Sequence, residues 1–265
     1  MKLLLRDYLE NIPSNISWKK VLLLLIIIQI NSFVLVNFFI PSLFSEEIRI
    51  WTGGIITPGQ VAFLYSILFY SALFKLFGVS VLNSNIYRNN LNAVIVILTA
   101  TVCIFLLLLP QYVHTTQGDV LILFGHFLEL LFGAVFEELV FRFFLLAAFI
   151  QLFKKSFGSG SVWLSIIISS FIFSFGHIFD HIRQGQVYIE FYIWAFSIGI
   201  LLSWIYILFN NIVLVILLHL FLNLIVLFLP LVQQGVILAE FIWYLVAFSL
   251  VIFGNRIIKI TRANN

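Results

Sequence analysis

The feature that most constrains this chain is a series of eight almost uncharged runs, at about 21–40, 60–78, 92–110, 120–153, 161–178, 188–209, 212–229 and 236–254. A helix needs about 20 predominantly apolar residues to cross the hydrocarbon core of a bilayer, and each run has close to that length or more. The runs show no alternation of apolar and polar residues, so they do not read as barrel strands. Only 9% of the 265 residues are charged and 63% are apolar, against roughly 25% charged in a soluble domain. The expected fold class is therefore all-α, a polytopic transmembrane helical bundle of about eight spans with its polar site inside the bilayer. A soluble protein, a disordered tail, a disulfide scaffold and a Cys-ligated zinc site are excluded, the last two because the chain holds a single Cys.

The expected organisation has three parts: a cytoplasmic amphipathic leader at 1–20, one membrane-embedded unit at 21–254, and a short basic tail at 255–265. The first run is too long for a signal-peptide core and is followed by no small-residue cleavage pattern, so it is expected to stay in the mature protein. Lys and Arg in short loops are retained on the cytoplasmic side. With the N-terminus inside, only Arg49 and Arg183 fall outside and Arg142 lies within a span, while the other basic residues all fall inside. The expectation is a multi-pass protein of the cell membrane with both termini cytoplasmic. The basic residues form short clusters between apolar runs, which gives no case for nucleic acid as a partner. At 34 residues the fourth run would reach about 50 Å at 1.5 Å per residue, so it must tilt, break near Gly133, or begin at the interface.

Ionisable side chains inside a membrane helix cost on the order of 3 kcal/mol each on insertion scales, so they need a partner, a cavity or a task. Three clusters stand out: Glu137-Glu138-Leu139-Val140-Phe141-Arg142 in the fourth run, Phe173-Ser174-Phe175-Gly176-His177 in the fifth, and His219-Leu220-Phe221-Leu222-Asn223 in the seventh. Glu138 and Arg142 are four apart and stack on one helical face, where they can form an ion pair. Glu137, turned about 100° away, is left to face a cavity and hold water. The structural alternative is a salt-bridge knot between helices. Gly176 would permit close helix approach beside His177, and a membrane His is often only an interhelical hydrogen-bond donor. His219 and Asn223 share a face and suit two donors converging on one oxygen, or equally two polar residues bonding neighbouring helices.

Taken together, a carboxylate, two imidazoles and an amide on three helices supply what amide hydrolysis by water requires: a base, an acid and oxyanion donors. They can meet in a cavity in the middle or outer half of the bilayer. His126 and Glu129 precede Glu137 on the same run, with His126 within about 20° of Glu137 on one face. They line a water path or, more simply, lie at the interface. Asp180 and His181 read as a solvated loop pair, and Glu240 as a snorkelling residue.

In this order and on separate apolar helices, Glu137-Glu138-x-x-x-Arg142, Phe173-x-x-x-His177 and His219-x-x-x-Asn223 resemble the CPBP family. These are the CAAX-protease and bacteriocin-processing (Abi) intramembrane proteases, whose eukaryotic relatives cleave the tripeptide from prenylated proteins. The resemblance covers about residues 118–229 and implies an intramembrane endopeptidase acting on a membrane-associated peptide or protein. It further implies that Glu137 is the general base, that His177 assists it, and that His219 and Asn223 stabilise the oxyanion. Glu138, Arg142 and Phe173 are then supporting residues. Phe143 departs from the Gly that many members carry after the Arg, which bears on local packing. Glu137, His177 and His219 would suit zinc by ligand type, but they are not arranged as His-Glu-x-x-His, so no cofactor is favoured and zinc is the alternative. A non-catalytic bacteriocin self-immunity factor, or a scaffold partnering a cell-envelope enzyme, is the alternative function. A proton-coupled transporter would also bury Glu and His, but no pair of Gly/Pro-broken spans recurs in two halves.

Overall fold

The computed structural model describes residues 18–31, 58–76, 95, 98–99, 120–158, 160–177, 189–209 and 211–228. Every element among them is helical: α1 (Trp18–Asn31), α2 (Pro58–Leu76), α3 (Val120–Glu138), a π-helical segment (Leu139–Leu146), α4 (Ala147–Phe157), α5 (Gly160–Gly176), α6 (Ile189–Phe209) and α7 (Ile212–Phe228). Five of the apolar runs thus become helices with nearly the expected limits, because charges, Pro, Gly and Asn stop the runs where the backbone also stops. The first differs, since α1 already begins at Trp18, within the segment read as a leader. Of the third run only Ile95, Leu98 and Thr99 are described, all helical. The eighth run, the tail, Asp180, His181 and Glu240 lie outside the described residues. Among the described residues, one helix, Phe191–Phe209, is long and apolar enough to cross a membrane by length and composition, and Gly160–Gly176 and Ile212–Leu224 are shorter apolar helices.

The fourth run does not break at Gly133. That glycine is buried within α3 against the ring of Phe63, and the change of geometry comes later, in the π-helical segment directly after Glu137-Glu138. Bonds of the i→i+5 type widen a helix and are frequent at functional sites. Val140, Leu145 and Leu146 are fully buried there, and Phe143 nearly so.

The chain forms two compact units. In the first, spanning Asn15–Val140 and Asn211–Leu231, α3 packs against both α2 and α7. Leu123 and Ala134 of α3 meet Leu220 and Leu224 of α7 in a buried core. Gln60 of α2 donates its side-chain N–H to the Gly125 carbonyl at 2.5 Å, and Tyr70 and Phe63 pack their rings on Phe136. The start of α7 is capped by Asn211, whose Oδ1 accepts the Leu214 N–H at 3.1 Å, satisfying a donor that the first turn leaves unpaired.

The second unit includes Phe141–Asn210, and in it α5 packs against both α4 and α6. A row of buried serines lines α5, with Ser165 donating to the Ser161 carbonyl and Ser174 crossing to the Tyr192 carbonyl of α6 at 2.7 Å. Small side chains let helix backbones approach in an apolar medium, and Ser161, Ser165, Ser169 and Ser174 bond their hydroxyls to backbone carbonyls. The closest approach is at Gly199, where a Cβ would lie 2.9 Å from the Ser170 Cβ and 3.1 Å from its Cα. Gly176, expected in that role, is exposed, and a Cβ there would meet only the Phe141 ring edge at 3.9 Å.

Candidate active site

Glu137 and Glu138 end α3, and His219 and Asn223 stand one turn apart on α7, the helix packed against it. This packing brings together in the first unit the two carboxylates of the first polar cluster and the His and Asn of the third. Glu138 is fully buried, and its Oε1 lies 2.7 Å from His219 Nδ1. With Glu138 a carboxylate, the Nδ1–H donates. The other ring nitrogen, Nε2, lies 3.5 Å from Glu137 Oε2. His219 therefore stands between the adjacent carboxylates, a relation of residues 81 apart that no local spacing could reveal.

The two carboxylates differ in environment as their offset on the helix predicts. Glu137 retains 19% side-chain exposure, against none for Glu138. Glu137 and Asn223 line a cavity of about 410 Å³. His126 and Glu129 line it as well, with His126 Nδ1 3.9 Å from Glu129 Oε2. Of the two readings of that pair, the structure puts both on the wall of the cavity that Glu137 faces. Phe63, Leu130 and Gly133 form its apolar side.

Arg142, Phe173 and His177 belong to the second unit. The Arg142 guanidinium is fully buried and lies 4.2 Å above the Phe173 ring centroid, a cation–π contact that partly replaces hydration. Phe173 also meets Phe141 edge-on at 5.2 Å. His177 follows the last residue of α5 and is held edge-on between Phe173 and Phe191, at 5.2 and 5.6 Å between centroids. Within the first unit Glu138 meets His219, and within the second Arg142 meets the Phe173 ring. Phe173, read as a supporting residue, is thus the platform shared by Arg142 and His177.

As to a metal, no group of three or more His, Cys, Asp or Glu among the described residues is disposed to hold an ion. With Nδ1–H donating to Glu138, the His219 lone pair is on Nε2, 3.5 Å from Glu137 Oε2. Within the first unit Glu137 and His219 supply two ligands of the type zinc takes, and His177, the third named from the sequence, belongs to the second unit.

Residues 119–225 match the family model described as type II CAAX prenyl endopeptidase Rce1-like. No curated protein and no solved structure matches the chain. The matched segment contains all seven site residues read from the sequence and is all but coextensive with the segment that carries the resemblance.

Proposed function

We propose that the chain, whose residues 119–225 match the model of the type II CAAX prenyl endopeptidases, hydrolyses a peptide bond of a membrane-associated peptide or protein with water activated by Glu137. The observation that carries this reading is that Glu137 and Asn223, from two packed helices, line one cavity, with the buried His219 ring 3.5 Å from the Glu137 carboxylate. Glu137 has the exposure to reach water and is the base: it takes one proton as the water oxygen attacks the carbonyl, then returns it to the leaving amine. Glu138 accepts from Nδ1–H and fixes the His219 ring with Nε2 toward Glu137. In the protonated ring both nitrogens donate, so Nε2–H and the Asn223 amide serve the oxyanion while Glu138 balances the charge. The resemblance gives His177, which is packed between two aromatic rings, the part of assisting the base, and Arg142 and Phe173 that of supporting residues. The activity is of the glutamate type, and no step passes through a metal.

Peptidomics of membranes from cells carrying the natural chain or Glu137→Ala tests the reading. Uncleaved substrate is expected to accumulate with the variant. If peptide profiles are identical while a cellular phenotype of the natural chain persists in the variant, the self-immunity or scaffold function, with an envelope protein as partner, replaces the protease.

The proposed setting is the cell membrane, crossed eight times with both termini cytoplasmic. Reporters fused after Lys155 and after Asn265 are then expected to read cytoplasmic, and one in the 42–54 loop external. A C-terminus that reads external would leave an odd number of spans.

A further inference from the structure

The cavity that Glu137 lines reaches past the polar residues used above. His126 lies eleven residues before Glu137 on α3, about 16 Å along the helix axis at 1.5 Å per residue, and both line the same cavity. Its volume of about 410 Å³ has room for on the order of ten waters at about 30 Å³ each. Glu129 lies between them in sequence and on the same wall.

His126 and Glu129 retain 46% and 33% side-chain exposure. In a membrane helix that exposure faces either hydrocarbon or water, and an ionisable pair facing hydrocarbon carries an insertion cost that one facing water does not. Phe124, two residues from His126 and exposed to a similar extent at 44%, is the residue type that suits lipid. His126 is also only six residues from the start of α3 at Val120, within about 10 Å of that end. A hydrolase whose base is enclosed among apolar helices must admit one water per turnover. Resting on the protease reading, we propose that His126 and Glu129 form the aqueous mouth of the cavity and that the hydrolytic water reaches Glu137 through it. Their task is to keep this end of the cavity wet, so what matters is polarity and not the particular side chain.

Two arms test this. In a Cys103→Ser background, which removes the single native thiol, His126→Cys and Glu129→Cys are expected to react with a membrane-impermeant thiol reagent added to one face of sealed vesicles. Phe124→Cys is expected to stay unlabelled from both faces. In the kinetic arm, His126→Leu with Glu129→Leu should lower kcat by about tenfold at nearly unchanged KM. The polar pair His126→Asn with Glu129→Gln should keep kcat near that of the natural chain. Cysteines at 126 and 129 as unreactive as the one at 124 would overturn the proposal by showing a lipid-facing pair. Unchanged kcat in the apolar pair would mean that water enters elsewhere, and a raised KM at unchanged kcat that these residues hold substrate, each overturning it too. The labelling arm does not depend on turnover: reactive cysteines in a chain that cleaves nothing would sink the protease reading while leaving the wet mouth standing.

Discussion

Purified Glu137→Gln is expected to cleave a membrane-associated reporter peptide about 10²- to 10⁴-fold more slowly than the natural chain, the usual worth of a general base. Gln keeps the size and hydrogen-bonding reach of the side chain but cannot take the proton that water must lose. The fold should be unaffected, because Glu137 lies on the cavity wall with 19% exposure and loses only a charge that the cavity has to solvate. Turnover within a few-fold of normal would remove Glu137 from the mechanism, whatever the fate of the other site residues.

Glu138→Ala should act through stability instead. Its carboxylate is fully buried and 2.7 Å from His219 Nδ1. Removing one partner of a buried hydrogen bond typically costs about 1–3 kcal/mol, because the ring N–H left behind keeps its desolvation cost and loses its compensation. Thermal unfolding in detergent should therefore show Glu138→Ala well below the natural chain, with Glu137→Gln equal to it or higher. Glu138→Leu combined with His219→Phe should recover part of the loss, since both polar groups leave the interior together. Equal destabilisation by Glu137→Gln and Glu138→Ala would mean that the adjacent carboxylates are one structural knot, and the distinction between base and support would be lost.

Much of this protein is legible without coordinates. Helix type and limits follow from apolar runs that end at charge, Pro, Gly or Asn: the run at 212–229 is α7 at Ile212–Phe228, and that at 188–209 is α6 at Ile189–Phe209. The candidate residues are equally visible, because a polar side chain in an apolar helix is costly enough to need a reason, and the family match covers the same stretch. The greater exposure of Glu137 over Glu138 also follows from the rotation between neighbours on a helix. Local spacing, however, ranks only partners on the same helix, Glu138 with Arg142 and His219 with Asn223, and says nothing of contacts between helices. Packing of α7 on α3 decided that His219 stands between both carboxylates. It also decided that His126 and Glu129 share a cavity with Glu137. Close approach fell to Gly199 and not Gly176, because what a missing side chain permits depends on what the facing helix presents, and Ser170 faces Gly199. Periodicity and polarity are properties of one helix and can be read from the chain, whereas the partner of a buried group is set by the helix packed against it, which only the tertiary structure specifies.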